Sequence, residues 1–205
     1  MSPRVIEVFA DVLCPFTHVG LQRLVAARAS AGRSDVGLWV RAWPLEIVNG
    51  SPLDAHFIAE EIDEIRAELG VPVFEGVRED AFPSSSLPLL ALAHAGYRRG
   101  PEVGEAVSLE LRDLLFEQGV AVGDPAVLER IARGHAIQVT DDDVAGVLAD
   151  HAEGVRRGVV GSPYFITPVG DFFCPALDIS RGDDGHLRVH ADPDGFDRFL
   201  AACFA

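Results

Sequence analysis

The fold of this chain is decided near its start, where residues 5–20 have the sequence VIEVFADVLCPFTHVG. Residues 5–10 are short, β-branched and almost wholly apolar, which predicts a buried strand. A helical pattern follows from Thr17, so Cys14 lies where the strand gives way to the helix. A sulfur placed there is close to the free amides of the first helical turn and to the positive end of the helix dipole. Both favour the thiolate and predict a nucleophilic cysteine with a lowered pKa.

The remaining segments predict a strand, then a block of helices, then strands again. Apolar residues alternate over residues 35–43, which indicates a second strand. Residues 52–157 carry helical periodicity, proline at helix starts and glycine at helix ends, and no strand pattern. Strand character returns at residues 163–167 and 172–174, and an amphipathic helix follows at residues 196–204. Residues 186–190 fit a short extra strand or a loop. The predicted order is therefore β-α-β, helices, β-β-α.

A second motif precedes the third strand. Residues 160–165 have the sequence VGSPYF, with Pro163 as the first residue of the strand, a position where proline is compatible with a sheet. If the Ser162–Pro163 bond is cis, the backbone beside it faces Cys14 and can pair with an extended thiol substrate.

Together the two motifs resemble those of the DsbA-like branch of the thioredoxin superfamily, with FrnE-like proteins and 2-hydroxychromene-2-carboxylate isomerase or kappa-class glutathione transferase relatives as the nearest-looking members. The resemblance covers essentially the whole chain, although only the two motifs are specific to the family. It implies an α/β, thioredoxin-like fold with a helical domain inserted between the second and third strands. The predicted thioredoxin-like domain comprises residues 1–51 and 158–205, and the inserted domain comprises residues 52–157.

Carried over by residue, the resemblance makes Cys14 the nucleophilic thiol and Pro163 the cis-proline. Redox-active relatives have C-x-x-C, whereas this chain has Thr17 at the last position, which leaves monothiol chemistry for this motif. Thr17 is expected to hydrogen-bond the sulfur, so the predicted catalytic residues are Cys14, Thr17 and Pro163. The predicted substrate-binding residues are Pro15, Phe16, His18, Ser162 and Tyr164. Of these, Phe16 is expected to form a wall of the site, and His18 either assists proton transfer to a leaving thiolate or is solvated.

The other two cysteines receive different interpretations. Cys203 is expected to be a packing residue. A hairpin turn over residues 168–171 would pair Thr167 with Phe172 and place Cys174 opposite Phe165. The chain would then return toward Pro163, so Cys174 is a candidate remote resolving thiol, provided that its Cα atom approaches that of Cys14 within about 7 Å.

Composition excludes several classes of function. Acidic residues outnumber basic ones 32 to 17, and the net charge of −15 makes nucleic acid and anionic membranes poor partners. All 17 basic residues are arginine, which excludes lysine-dependent Schiff-base, pyridoxal phosphate and P-loop chemistry. No metal-binding motif is present, so no metal site is predicted. Three cysteines do not make a secreted disulfide framework, and no signal sequence precedes the first strand, so the expected location is the cytoplasm.

These observations lead to one functional prediction and two alternatives. The first is a DsbA-family thiol–disulfide oxidoreductase acting through Cys14 on small-thiol mixed disulfides or thiol conjugates. The second is a glutathione-type isomerase or transferase, and the third is a non-catalytic thioredoxin-fold binding protein. No bound cofactor is expected, and a small thiol such as glutathione is the expected cosubstrate. A homodimer is a plausible assembly, because inserted helices in relatives often carry interfaces.

Overall fold

The structure, a computed structural model, describes residues 4–182 and 187–205. The strands of this part of the chain are Arg4–Ala10 (β1), Val36–Ala42 (β2), Tyr164–Thr167 (β3), Gly170–Phe173 (β4), Leu177–Arg181 (β5) and Leu187–Ala191 (β6). Its α-helices are Pro15–Ser30 (α1), Leu45–Val48 (α2), Ala55–Leu69 (α3), Leu87–Arg99 (α4), Pro101–Phe116 (α5), Pro125–Gly134 (α6), Asp141–Arg156 (α7) and Pro193–Phe204 (α8).

The central sheet has the strand order β2-β1-β3-β4. Strands β1 and β2 are parallel and in register from Arg4 opposite Val36 to Ala10 opposite Ala42, with α1 as the crossover helix. Strand β3 runs antiparallel to β1, with Tyr164 opposite Phe9, and β4 runs antiparallel to β3. The predicted thioredoxin-like order is therefore confirmed, and residues 52–157 contain helices between β2 and β3 without a strand.

Helices α1 and α8 cover one face of this sheet. The rings of Phe165 and Pro163 lie against α1, 3.6 and 3.7 Å from the place that a β-carbon on Gly20 would occupy. Phe199 of α8 packs on Phe165 with the ring centroids 4.6 Å apart, and on Phe172 at 5.4 Å. This apolar layer holds the N-terminus of α1, and Cys14 with it, beside the start of β3.

The inserted helices pack against β2 and the opposite face. A β-carbon at Gly154 of α7 would lie 2.6 Å from the Trp43 ring, so this close packing requires glycine. The Tyr97 hydroxyl of α4 donates to Leu38 O at 3.1 Å and accepts from Val40 N at 2.9 Å. These bonds provide partners for two backbone groups on the free edge of β2. One cluster of buried apolar side chains includes residues from both predicted domains.

The hairpin register predicted from sequence is wrong by two residues. The turn contains only Pro168 and Val169, and Thr167 pairs with Gly170 rather than with Phe172. The glycine has a φ of 155°, and Thr167 Oγ1 donates to its carbonyl at 2.7 Å, so a two-residue turn closes the hairpin at the same residue of β3 but two residues earlier on β4. As a result, Cys174 lies opposite Pro163 rather than opposite Phe165.

A second, two-stranded sheet follows the hairpin. Strand β5, which the sequence pattern does not predict, pairs antiparallel with β6, and Ile179 lies opposite Val189. Of the two alternatives for residues 186–190, a short strand or a loop, the structure has the strand, at Leu187–Ala191. His186 falls outside the described residues. Helix α3 of the insertion packs on β6.

Candidate active site

The loop that carries Cys14 is pinned by the buried carboxylate of Asp11. Its Oδ1 accepts from Leu13 N at 2.9 Å, and its Oδ2 accepts from Leu45 N at 2.7 Å and from Ser86 Oγ at 2.9 Å. Burial raises the pKa of Asp11, and these three hydrogen bonds oppose the rise because they favour the ionised form. Asp11 therefore fixes the turn from β1 into α1 from three directions.

A fully buried arginine supports the same turn from α5. Arg112 Nη2 donates to Asp11 O at 3.1 Å, and Nη1 donates to Ser108 O at 2.8 Å and to Ser108 Oγ at 2.6 Å. Burial lowers the pKa of Arg112 to about 10, and the nearby Asp11 charge opposes this decrease. Arg112 is still a cation at neutral pH, so it balances the Asp11 carboxylate inside the protein.

Cys14 is the residue immediately before α1, and Pro15 is the first helical residue. Its sulfur donates a hydrogen bond to Ser162 O at 3.2 Å. The Ser162 side chain closes the arrangement, because its hydroxyl accepts from Asp11 N at 3.0 Å and shares a hydrogen bond with Thr17 Oγ1 at 2.8 Å. The Ser162–Pro163 bond is cis, as the sequence motif suggested. The structure therefore brings Cys14, Thr17, Ser162 and Pro163 together.

The pKa of the Cys14 thiol moves in the direction opposite to the one expected from the helix terminus. Burial raises this pKa, since the residue is only 3% exposed, and the negative charge of Glu61 on α3 raises it as well. The hydroxyl and amide of Thr17 and the Ser162 group lower it, but burial outweighs them. At neutral pH the resting form of this sulfur is therefore the thiol.

The other predicted site residues lie at different depths. Phe16 belongs to the buried core beside Cys14. His18 is buried rather than solvated. Its Nε2 shares a 2.6 Å hydrogen bond with Glu117 Oε1, and its ring packs against the rings of Phe74 and Phe116, with centroids 5.4 and 4.9 Å away. This environment favours a role for His18 in anchoring α1, and its proposed part in proton transfer stays a prediction.

Tyr164 is not brought together with the sulfur. It follows Pro163 in β3, and successive side chains of a strand point to opposite faces. Its side chain is half-buried against a separate apolar cluster of Phe9, Trp43 and Val159. This geometry does not favour a contact between Tyr164 and a substrate at Cys14, and that contact stays a prediction.

Cys174 lies at the site, whereas Cys203 does not take part in it. Cys174 N donates to Pro163 O at 3.0 Å, and the residue is buried just beyond the end of β4. Burial raises its pKa strongly, and the negative charge of an ionised Cys14 is the next contribution to that rise. Cys203 is completely buried in α8, in agreement with a packing role.

The sequence patterns did not assign three residues that shape this site. Asp11 and Arg112 form the support beneath Cys14, and Glu61 is close enough to affect the pKa of two thiols. One signal was present for Glu61: it follows Ile58 by three residues and precedes Ile62, both buried, so it lies beside the apolar stripe of α3. Arg112 has no comparable signal, because arginines at helical spacing are normally solvated.

A buried cysteine before a helix, facing a cis-proline at the start of a strand, defines a thiol site of the thioredoxin class. The family description of the DSBA-like thioredoxin domain matches residues 5–180, and the chain belongs to this family. Among curated proteins, no sequence matches.

Solved structures with the same fold include a disulfide reductase and an isomerase. The cytosolic disulfide reductase DsbM from Pseudomonas aeruginosa has a TM-score of 0.61 and 16% identity, over 96% of this chain and 97% of that one. The same reductase with GSH has a TM-score of 0.59 and 17% identity, covering the same shares. A 2-hydroxychromene-2-carboxylate isomerase has a TM-score of 0.57 and 12% identity, over 82% of this chain and 88% of that one. At these identities, the similarity shows the fold.

Two further features of the described residues bear on the kind of site. No group of three or more histidine, cysteine or acidic side chains in residues 4–182 and 187–205 is placed to hold a metal ion. Within the same ranges, no helix is long and apolar enough to cross a membrane.

Proposed function

We propose that the protein is a thiol–disulfide oxidoreductase in which Cys14 is the attacking thiol, acting on mixed disulfides or conjugates of small thiols. The observation that carries the proposal is the 3.2 Å hydrogen bond from Cys14 Sγ to Ser162 O, next to the cis-proline. This contact supports the proposal, because an extended substrate that paired with the backbone of the Ser162–Pro163 segment would lie beside the sulfur. Thr17 occupies the position at which a dithiol enzyme would have its second cysteine.

The proposed reaction proceeds by two exchanges. Cys14 attacks one sulfur of a disulfide R–S–S–R′, forms Cys14–S–S–R and releases R′–S⁻, which takes the proton that Cys14 has lost. A second thiol then attacks the mixed disulfide, restores Cys14 and forms a new disulfide with R. In this scheme the small thiol, glutathione or an equivalent, is a cosubstrate rather than a bound cofactor. The cytoplasmic location and the homodimer stay predictions.

The environment of the sulfur supports a selective rather than a freely reactive thiol. Burial raises the pKa of Cys14, so only a small fraction is ionised at neutral pH before a substrate binds. The Thr17 and Ser162 groups that lower this pKa are fixed in place by their own 2.8 Å hydrogen bond. When a disulfide binds, the Thr17 and Ser162 groups would stabilise the Cys14 thiolate that attacks it.

Intact-protein mass spectrometry and thiol mapping test the proposal. The reduced protein is incubated with glutathione disulfide, and we expect Cys14 to enter a disulfide while reduced glutathione is released. Cys14→Ser is expected to release none, and Cys203→Ala, which removes only the packing cysteine, is expected to behave like the wild type. If Cys14 remains a free thiol under conditions that oxidise a model cysteine peptide, the exchange reaction is excluded.

A second candidate is a glutathione-dependent isomerase or transferase. The raised pKa favours it, because a protonated Cys14 can bind and orient a small-thiol conjugate without forming a disulfide. It predicts saturable binding of glutathione by Cys14→Ser, measured by calorimetry. A non-catalytic binding protein, the third alternative, predicts that Cys14→Ser changes neither glutathione binding nor disulfide exchange.

A further inference from the structure

The hairpin brings a second cysteine to the start of β3. Cys174 is the residue directly after β4, and its N donates to Pro163 O at 3.0 Å. The ring of Pro163 lies against Gly20 of α1. Cys174 is therefore beside the cis-proline, at the end of β3 that adjoins α1.

Both cysteines are held against consecutive residues of one segment. Cys14 Sγ donates to Ser162 O at 3.2 Å, and Cys174 N donates to Pro163 O at 3.0 Å. Both thiols are free and buried, at 3% and 5% exposure. The negative charge of Glu61 raises the pKa of both thiols, and an ionised Cys14 raises the pKa of Cys174. The two cysteines are therefore neighbours beside the cis-proline.

The backbone at Cys174 turns the chain at this point. Its φ is +42°, in the left-handed region that a side chain other than glycine rarely adopts. Two hydrogen bonds hold that conformation, one from Cys174 N to Pro163 O and one from Leu177 N to Cys174 O at 3.2 Å. Such a conformation persists only where the surroundings fix it. Here it ends β4 at Phe173 and keeps Cys174 beside Pro163.

We infer that Cys174 is the resolving thiol for Cys14, so that the internal disulfide of this chain joins Cys14 to Cys174 and replaces the C-x-x-C disulfide that Thr17 precludes. This inference rests on the proposed function, because it needs Cys14 to form a mixed disulfide first. Cys174 attacks the Cys14 sulfur of Cys14–S–S–R, the bond to R breaks, and R–S⁻ leaves with the proton from Cys174. Overall, two protein thiols are oxidised to one disulfide, and one small-molecule disulfide is reduced to two thiols.

The charge of Cys14 favours one order for the attacking and resolving steps. Hydrogen bonds from Thr17 and Ser162 lower the pKa of Cys14, and the Leu177 amide lowers the pKa of Cys174. An ionised Cys14 raises the pKa of Cys174. Once Cys14 is in a mixed disulfide that charge cannot form, and Cys174 becomes easier to ionise. The resolving step is thus favoured only after the attacking step has taken place.

The test compares the products of oxidation in three proteins of full length. Reduced wild type, Cys174→Ala and Cys203→Ala are incubated with glutathione disulfide, quenched with acid and alkylated, and then examined by intact mass and peptide mapping. We expect wild type to carry one alkyl group, at Cys203, and Cys203→Ala to carry none, each with a Cys14–Cys174 peptide pair. Cys174→Ala is expected to retain one glutathione at Cys14. The wild-type peptide map gives the answer even if Cys174→Ala does not fold.

The outcomes separate this inference from the proposed function. A wild type that retains glutathione at Cys14 to the same extent as Cys174→Ala, with no Cys14–Cys174 peptide, overturns the resolving role and leaves Cys14 as a monothiol. A protein in which Cys14 neither binds glutathione nor forms any disulfide overturns the proposed function as well. An internal pair involving Cys203 instead of Cys174 overturns the assignment of the resolving residue.

Discussion

At the scale of single residues, Cys14 is governed by a balance between burial and hydrogen bonding. Its position before α1 brings it close to the Thr17 groups that lower its pKa, yet its near-complete burial raises the pKa by more. Glu61 adds to this rise from the neighbouring helix α3. Since removing water from around a thiol disfavours its charged form, any change that opens the site or removes the Glu61 charge should activate the sulfur.

Glu61→Gln is expected to lower the pKa of Cys14, because it removes a negative charge that disfavours the thiolate. The alkylation profile should move to lower pH, and the rate of alkylation at neutral pH should rise accordingly. The measurement is the rate of iodoacetamide modification of Cys14 against pH, followed by peptide mass.

The matched control for this substitution is Glu60→Gln. Glu60 is the adjacent residue, its side chain is 61% exposed, and its partner at 3.7 Å is His56 rather than a thiol. This variant is expected to reproduce the wild-type profile. Identical profiles for all three proteins would show that the Glu61 charge does not reach the sulfur.

At the scale of secondary-structure elements, the N-terminal half of α1 is tied to the inserted helices by the His18–Glu117 pair. Glu117 follows α5 and accepts from His18 Nε2 at 2.6 Å and from the amides of Phe74 at 3.0 Å and Glu75 at 3.2 Å. Burial opposes ionisation of Glu117, but these hydrogen bonds lower its pKa to about 2. One carboxylate thus joins three segments of the chain.

Glu117→Gln should destabilise the protein in a pH-dependent manner. The folded-state pKa of about 2 is below the ordinary value of 4.5, so this carboxylate stabilises the fold above pH 4.5, and the contribution is lost as the pH falls toward 2. At pH 7 we expect a loss of about 2–3 kcal/mol in the free energy of unfolding, measured by urea denaturation. The difference from wild type should shrink at pH 3.

Glu110→Gln is the control for that series. Glu110 also pairs with a histidine, His135, at 2.6 Å, but its side chain is 41% exposed. Exposed pairs contribute about 1 kcal/mol or less, so this variant should change stability little. Equal small effects at the two positions would show that Glu117 is not the anchor described above.

At the scale of the whole molecule, the sheet domain and the inserted helices share one apolar core and several buried polar links. Arg112 connects α5 to Asp11, and the Tyr97 hydroxyl connects α4 to two backbone groups of β2. Unfolding either predicted domain alone would expose apolar surface of the other and leave buried polar groups without partners. The two parts are therefore expected to depend on each other for stability.

We expect the protein to unfold in a single cooperative transition. Far-UV circular dichroism follows mainly the helices, whereas fluorescence follows Trp39 and Trp43, which lie in or just after β2. The two urea curves should coincide, with equal midpoints and slopes. Loss of helical signal before any change in tryptophan fluorescence would instead show that residues 52–157 unfold as an independent unit.

The sequence alone was sufficient to predict the class of fold and the position of Cys14 at the start of the first helix. Strand and helix periods, with proline and glycine at element ends, are local properties, and they predicted the order β-α-β, helices, β-β-α. The motif around Cys14 and the Ser162–Pro163 motif likewise predicted which two segments meet. What sequence reasoning missed at element scale, α2, β5 and the hairpin register, depends on short segments whose pattern is weak.

Only the tertiary structure decided what surrounds the sulfur. Burial and the charge of Glu61 on α3 both raise the pKa of Cys14, which no local pattern shows, and burial reversed the direction expected from the helix terminus. In the same way, a two-residue turn rather than a four-residue one moved Cys174 from Phe165 to Pro163. Periodicity fixes which side chains share a face, but desolvation and register are set by contacts between residues far apart in the chain.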